Sequence, residues 1–219
     1  MTLIDISAGL SGSLPVWPSS RGWSVDLTSD VRRGDDVTES FLSADVHTGT
    51  HVDAPLHHLS DGFGVEGFAL DAFVGPALVV DATGQREVGA EVVARLPAEA
   101  RRVLFRTDNS VSKLMRQPHF EPAFVGLSVG AADALSCRDS LLLVGSDYLS
   151  VQSYGGDDEV HRLLLRKGVA LLEGVDLSHV EPGWYDLFAL PVLLPGAEGA
   201  PVRAVLRPLD PSHEIESRP

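Results

Sequence analysis

Short segments of β-prone residues recur along the whole chain, and this pattern limits the fold more than any other feature of the sequence. Gly, Pro and Asp residues bound each segment, as expected for strands joined by turns. The predicted strands cover residues 3–6, 23–27, 40–46, 77–81, 102–106, 141–144, 169–172, 185–189 and 202–206. The sequence therefore predicts a strand-rich protein.

Three segments show the 3.6-residue apolar period of an amphipathic helix, at residues 89–96, 128–135 and 157–167. All three follow residue 85, whereas the first third of the chain is nearly all strand and turn. A regular βαβ repeat of the Rossmann type fits poorly, and the sequence contains neither a GxGxxG nor a Walker pattern. We predict an α/β fold with a few peripheral helices, in a single domain over residues 1–219.

The composition excludes several classes of partner. A formal net charge of -14 repels nucleic acid and anionic membrane surfaces, and no stretch approaches the roughly 20 apolar residues of a membrane-spanning helix. Cys137 is the only cysteine, which excludes an intrachain disulfide; we expect it to be a small buried hydrophobe. A soluble, cytoplasmic protein is predicted, with a frayed C-terminal tail in which His213 is solvated.

The segment HTGTHVDAPLHHLSDG, residues 47–62, holds four of the eight histidines. Its glycines, β-branched residues and proline disfavour a helix, so we predict an extended segment. Side chains alternate along an extended chain, and the odd-numbered potential ligands therefore tend to the same face. These are His47, His51, Asp53 and His57. His58 is even-numbered and is predicted to point away from them.

A straight strand would spread these residues over about 33 Å, so the segment must bend to bind one ion. Gly49 and Pro55 are best able to bend it. Imidazole nitrogens and a carboxylate oxygen suit zinc, manganese or iron, whereas calcium prefers more oxygens and a structural zinc site usually has thiolates. The pattern predicts a catalytic metal held by His47, His51 and Asp53.

A second pair of potential ligands lies in HRLLLRKGVALLEG. His161 is in the predicted helix that Gly168 ends, and Glu173 ends the strand that follows. A helix, a tight turn and a returning strand can bring the two side chains together. A surface pair would give the same pattern, so these residues alone leave their role open.

Together these motifs resemble the cyclase family of metal-dependent hydrolases, which includes kynurenine formamidases and isatin hydrolases. The first motif has the form HxGTHxDxPxH, and PVWP at residues 15–18 and the C-terminal segment from residue 190 also resemble the family. The resemblance implies a swivelling β/β/α fold, assembly as a homodimer or homotetramer, and hydrolysis of amide, lactam or related acyl bonds. It also implies that His161 and Glu173 complete the metal site and that Trp17 lines the substrate pocket.

Two segments depart from the family's formamidase branch. GSDYLSVQSYGG, residues 145–156, is more like less characterised members, including some found near secondary-metabolite pathways. TDNSVSKLMRQPHF, residues 107–120, lacks a tryptophan often found there. The resemblance implies a small aromatic substrate but does not identify it, and we expect a reshaped pocket.

We predict a hydrolase in which the ion lowers the pKa of its bound water to about 7, with His57 as the proton shuttle. Two alternatives are a metal-dependent cyclase or dehydratase and a non-enzymatic binding module. The cofactor is a divalent metal, zinc or manganese, as one or two ions. Asp53 would bridge two ions, with His161 and Glu173 holding the second; alternatively, these two residues only orient the ligands of one ion.

Overall fold

The computed structural model describes residues 2–209. Its eleven strands form a nine-stranded mixed sheet and a separate hairpin. The strands are β1 Ile4–Asp5, β2 Trp23–Ser29, β3 Glu39–Ala44, β4 His51–Asp53, β5 Val74–Asp81, β6 Arg102–Arg106, β7 Leu143–Ser146, β8 Ala170–Glu173, β9 Gly183–Phe188, β10 Gly199–Pro201 and β11 Val205–Pro208. The α-helices are α1 Ala90–Val93, α2 Asp108–Val111, α3 Val129–Ser136 and α4 Glu159–Arg166.

The large sheet has the order β1-β11-β9-β5-β6-β7-β8-β4-β10. Strands β5 to β8 are parallel, and the strands on both flanks pair antiparallel. The central strands are buried on both faces, which explains their nearly continuous apolar sequences. At the β8 flank, β4 pairs antiparallel with β8 and brings the histidine-rich segment against the end of a buried strand.

The core consists of two main apolar clusters, one on each face of the sheet. Along β6, Val103 and Phe105 pack into the cluster covered by α1, α3 and α4, whereas Leu104 between them packs into the other. This alternation follows the two-residue period of a strand. The helices therefore cover one face, and the amphipathic α4 places Leu164 and Leu165 in that cluster.

The β2–β3 hairpin is a separate two-stranded sheet. All six residues of β3 are exposed, including Phe41 and Leu42, and Val25 of β2 is exposed as well. A two-stranded sheet alone buries little apolar surface and is marginally stable in water. The hairpin is thus a candidate contact surface.

The predicted strand-rich α/β class is confirmed, while several boundaries were wrong. The helix predicted at 89–96 is only Ala90–Val93, and the strand predicted at 202–206 begins at Val205. The short strands at 51–53 and 199–201 pair with each other, and such long-range pairing leaves little local signal. Cys137 follows the last turn of α3 and is exposed, so its predicted burial was wrong.

The predicted C-terminal tail with His213 lies outside the described residues, and the single-domain assignment stays a prediction. Within residues 2–209, no helix has both the length and the apolar character needed to cross a membrane.

Candidate metal centre

The pairing of β4 with β8 creates the centre of the site. The antiparallel register places His51 opposite Glu173, and both side chains are buried. His51 Nε2 lies 3.4 Å from Glu173 Oε2 and 3.4 Å from Asp53 Oδ1. Asp53 is two residues after His51 on the same strand and shares its face, as the alternation predicts. One imidazole thus lies between two buried carboxylates.

A bend before β4 brings His47 to the same carboxylates. Gly49 has a φ of +71°, in the left-handed region that favours glycine, and its carbonyl accepts a hydrogen bond from His51 Nδ1 at 3.0 Å. His47 Nδ1 lies 2.8 Å from Asp53 Oδ1. The contact to the Gly49 carbonyl fixes the His51 ring so that Nε2 faces the carboxylates.

The predicted convergence of His161 and Glu173 is present in the structure. His161 lies in the first turn of α4, and its Nε2 atom is 3.3 Å from Glu173 Oε1. The Ser150 hydroxyl lies 3.3 Å from the same nitrogen. Glu173 Oε1 also accepts a hydrogen bond from the backbone N–H of Val151 at 2.7 Å. These contacts hold the helix start and the strand end together around buried polar atoms.

The strict alternation predicted for residues 47–57 holds only in β4, because residues 46–50 form a turn and a bend and Pro55–His57 form one turn of 3₁₀ helix. Successive side chains of a 3₁₀ helix are about 120° apart, so neighbours do not point in opposite directions. His57 still faces His47, with ring centroids 4.1 Å apart. The prediction that His58 points away was wrong: its ring stacks on His161 at 4.5 Å and lines the same cavity.

Three groups of potential ligands are present, and within each group the ligand atoms lie within 4.8 Å of one another. The groups are His47, Asp53 and His57; His51, Asp53 and Glu173; and His58, Asp158 and His161. Asp53 belongs to the first two, and His161 is joined to the second by its contact with Glu173. The structure therefore brings together all five predicted ligands, although it groups them differently from the sequence prediction and adds His57, His58 and Asp158 as potential ligands.

The donor atoms fit a borderline divalent ion. Imidazole nitrogens and carboxylate oxygens converge without any thiolate, which is the chemistry of catalytic zinc and manganese sites. Two buried imidazole nitrogens, His47 Nε2 and His161 Nδ1, have no hydrogen-bond partner among residues 2–209. Buried polar atoms are normally satisfied, so unpaired nitrogens here are consistent with a ligand-binding role.

The pKa values of the buried residues show strong mutual stabilisation of charge. Burial alone would lower the pKa of His51, but hydrogen bonds to Asp53 and Glu173 raise it to about 10. Burial would raise the pKa of Asp53, but His47 and His51 hold it well below its usual range. Glu173 responds in the same way, because His161 and His51 outweigh its burial and the nearby Asp53. The two carboxylates thus require positive charge between them.

Metal binding is expected to release a proton from His51. The raised pKa of about 10 means that the metal-free centre carries this proton throughout the neutral range, and a ligating imidazole must lose it. Affinity should therefore fall as the pH decreases. Calorimetric titration of metal-free protein with Mn²⁺, in buffers of different ionisation enthalpy, should show release of at least one proton per chain. More should be released if His161, whose pKa Glu173 raises despite burial, also loses a proton to bind the second ion. A binding enthalpy independent of the buffer would contradict this coupling.

The centre opens into a cavity of about 360 Å³. Trp17 lines it, as predicted, and packs edge to face against Phe120 and Tyr154 with ring centroids 5.2 and 5.4 Å away. Ser150 and Asp158 also line the cavity and were missed by the sequence analysis. Ser150 lies in segment 145–156, and Asp158 lies two residues after it. The departure of this segment from the formamidase branch was the sequence signal that could have pointed to them.

Comparisons with known proteins identify the family of the chain. A family model described as "Putative cyclase" matches residues 4–153. A kynurenine formamidase of Salinibacter ruber is 41% identical over 213 residues, covering 94% of this chain and 98% of that protein. Cyclase-like protein 3 of Arabidopsis thaliana is 39% identical over 213 residues, covering 93% and 79%. A solved structure from Bacillus stearothermophilus, described as a "predicted metal-dependent hydrolase", has a TM-score of 0.79 and 30% identity, covering 94% and 97%.

Proposed function

The chain belongs to the cyclase family and is a metal-dependent hydrolase, and we propose that it cleaves an amide, lactam or related acyl bond of a small aromatic substrate. One observation carries this proposal: the buried His51–Asp53–Glu173 group opens into a cavity with an aromatic wall. The similarity to a kynurenine formamidase supports cleavage of a carbon–nitrogen bond. The similarity does not identify the substrate, because segment 145–156, whose sequence departs from the formamidase branch, forms part of the cavity wall.

We propose that the centre holds two divalent ions, zinc or manganese. His47, His51 and Asp53 would hold the first, and Asp53, His161 and Glu173 the second. Asp53 supports this because it belongs to two of the three donor groups. A bound divalent ion lowers the pKa of a coordinated water and polarises a carbonyl. In the one-ion alternative, His161 and Glu173 orient the ligands instead.

His57 is positioned to move the proton during hydrolysis. Its ring lines the cavity beside His47, and it retains an exposed edge. Desolvation at the cavity wall lowers the pKa of His57 below the ordinary value of 6.5, an effect that Asp53 partly opposes and His47 reinforces. The ring is therefore neutral at neutral pH and can accept a proton from the attacking water. It can then return that proton to the leaving nitrogen.

The aromatic wall determines how the substrate lies. Trp17 is held in place by Phe120, Phe124 and Tyr154, so its ring is a fixed apolar surface. A cavity of about 360 Å³ accommodates a single substituted aromatic ring. The Ser150 hydroxyl, beside His161, adds a polar group on the cavity wall. A ring packed against Trp17 would direct its acyl group toward the carboxylates.

Turnover in ¹⁸O-labelled water tests the reaction type. Metal-loaded protein would be assayed with N-formylkynurenine, isatin and simple aryl formamides. Hydrolysis must place one solvent oxygen in the acid product, whereas the alternative, a cyclase or dehydratase, has no such requirement. We expect labelled formate or the labelled ring-opened acid. Turnover without label in the product would favour the cyclase alternative, and absence of turnover with all substrates would favour a binding module.

We propose further that the chain forms a homodimer or homotetramer through the β2–β3 hairpin. A second copy is the occupant that fits, because within residues 2–209 no other strand pairs with the hairpin, and it exposes apolar residues, including Val25, Phe41 and Leu42. Two such hairpins can pair and cover one another. The hairpin directly precedes the segment that carries His47. Assembly through the hairpin would therefore connect to the metal centre through this short stretch of chain.

Substitution of Phe41 and Leu42 by Asp is expected to shift the chain to the monomer mass in light scattering. The apolar side chains that the partner would cover become charged, and burying those charges is costly. Leu193→Asp is the control, because Leu193 is equally apolar and 73% exposed but lies outside the hairpin. A monomeric parent, or a double variant that keeps the parent's mass, would refute assembly through this surface.

A further inference from the structure

Of the five predicted ligands, His47 alone lies outside the helices and strands. It belongs to the turn between β3 and β4, and its side chain is 22% exposed, whereas those of His51 and Asp53 are almost fully buried. A strand fixes the direction of its side chains, but a turn does so less strictly. The orientation of the His47 ring therefore depends on the groups that surround it.

Strand β10 leaves space for this ring at the edge of the large sheet. Gly199 begins β10 and lies opposite Asp53 in the antiparallel register with β4. A Cβ atom at residue 199 would lie 2.6 Å from His47 Cε1 and 3.1 Å from His47 Nδ1. Any side chain at this position would displace the ring. A glycine within a strand thus allows a close approach here.

The two ring nitrogens of His47 have different surroundings. Nδ1 lies 2.8 Å from Asp53 Oδ1 and so faces the other ligands. Nε2, on the far side of the ring, is buried and has no hydrogen-bond partner among residues 2–209. An imidazole that binds an ion through Nδ1 carries its hydrogen on Nε2. That hydrogen requires an acceptor, because a buried donor without one is costly.

Glu198 supplies a carboxylate beside this nitrogen. Its Oε1 atom lies 3.6 Å from His47 Nε2, and among residues 2–209 His47 is the only basic side chain within 4.0 Å of the carboxylate. The Glu198 backbone is held in place, because its carbonyl accepts a 2.8 Å hydrogen bond from the Ala54 N–H. The side chain is 44% exposed. A small rotation of this side chain is enough to bring the oxygen to hydrogen-bond distance.

Glu198 has no direct part in binding either the metal or the substrate. It belongs to none of the three groups of potential ligands, and it does not line the cavity. Histidines that bind metals commonly donate their other ring N–H to a carboxylate, which fixes the ring and makes it a stronger ligand. An effect of Glu198 on the centre must therefore act through His47.

We propose that Glu198 is a positioning residue, which accepts the Nε2–H hydrogen bond of His47 and holds Nδ1 toward the first ion. This inference rests on the proposed function, in which His47, His51 and Asp53 hold that ion. Glu198 has no described contact with His161 or Glu173. Its removal should therefore weaken the binding of the first ion and spare the second.

Competition between the metal-free protein and a chromophoric chelator for Zn²⁺ tests this role. In Glu198→Ala, we expect the affinity for one ion to fall about 10-fold to 100-fold. Glu198→Gln should lose less, because its amide oxygen can still accept the hydrogen bond. In Glu173→Ala, the ion bound by His47 is the one that remains, and adding Glu198→Ala should weaken it to the same extent.

Two further readouts separate positioning from a general loss of structure. The metal-free Glu198→Ala protein should unfold at the parent's temperature, because a half-exposed pair contributes little stability. With an aryl formamide, the variant should lose kcat and keep the parent's KM, because Glu198 does not line the cavity. Glu87→Ala is the control: Glu87 is exposed, does not line the cavity, and its loss changes the net charge equally.

The outcomes distinguish this inference from the proposed function. Unchanged Zn²⁺ affinity in Glu198→Ala, or an equal loss in Glu87→Ala, would overturn the positioning role, and hydrolysis by the parent would still support the proposed function. If Glu198→Ala binds Zn²⁺ more weakly as expected but the parent hydrolyses no substrate, the positioning role stands and the proposed function fails. A parent that binds no Zn²⁺ would overturn both.

Discussion

His51→Ala is expected to lose at least one bound ion and to lower kcat/KM by about 10³-fold or more, because the metal supplies most of the activation of water and carbonyl. His51 is 1% exposed and lies between Asp53 and Glu173, at the centre of the site. Removing its ring takes away a ligand and leaves two buried carboxylates facing each other. Elemental analysis of the purified variant and the rate with an aryl formamide measure both effects.

His119→Ala is the control for this substitution, because His119 is exposed and does not line the cavity. It should keep the parent's metal content and rate. Loss of folding in His51→Ala would be visible by circular dichroism, and His51→Gln, which retains a polar side chain, then provides a second test. Unchanged metal content in a folded His51 variant would remove His51 from the ligand set.

His57→Ala is expected to keep the metal and to lose about 10²-fold or more in rate, the usual contribution of a general acid–base group. The reason is that His57 lies on the exposed side of the donor atoms, while His47, His51 and Asp53 remain in place. Its lowered pKa gives the parent an acid limb, in which the rate falls as His57 becomes protonated. At saturating metal, the contribution of His57 to that limb should be absent from the pH profile of the variant, which leaves only the limb of the metal-bound water.

His57 could act in proton transfer or as a metal ligand, because its ring nitrogen also lies within 4.8 Å of the ligand atoms of His47 and Asp53. The metal content of the variant distinguishes these two roles. A variant that keeps the parent's metal content and loses rate supports proton transfer. Loss of an ion in His57→Ala would reassign His57 as a ligand, and normal turnover would place the proton shuttle on another residue. The rate and the bound metal must therefore be measured on the same preparation.

Much of the centre could be predicted because its ligands lie on regular elements. His51 and Asp53 alternate on one short strand, and that pattern is visible in the sequence. His161 and Glu173 are twelve residues apart in a helix–turn–strand unit, whose geometry is local. The resemblance to the cyclase family further implies that the His51–Asp53 pair and the His161–Glu173 pair form one site. The register between β4 and β8 is set by pairing between residues that are far apart in the sequence.

The failures have an equally local cause. The two-residue alternation does not extend into the 3₁₀ turn at Pro55, and His58 therefore faces the cavity. Asp158 was missed because a left-handed Asp before a helix has the same sequence signature as an ordinary N-cap. Trp17 and Tyr154 form the aromatic wall and Phe120 packs against Trp17; the three are far apart in sequence, and only the fold places them together.

The proposal of two ions rests on the position of Asp53 in two donor groups. If Asp53 bridges two ions, Glu173→Ala should bind one ion fewer than the parent at saturation and should lose activity. If one ion is bound and Glu173 only orients its ligands, both proteins should bind a single ion. The stoichiometry of the variant thus separates these arrangements without reference to the substrate.

The most direct measurement is titration of metal-free protein with Mn²⁺ or Zn²⁺, with bound ions and hydrolysis of an aryl formamide followed in the same samples. We expect no hydrolysis without metal, and a rate that rises with bound metal and reaches its plateau at two ions per chain. Full hydrolysis by metal-free protein, or metal binding that restores no rate with any of the formamides or lactams, would contradict metal-dependent hydrolysis at this centre.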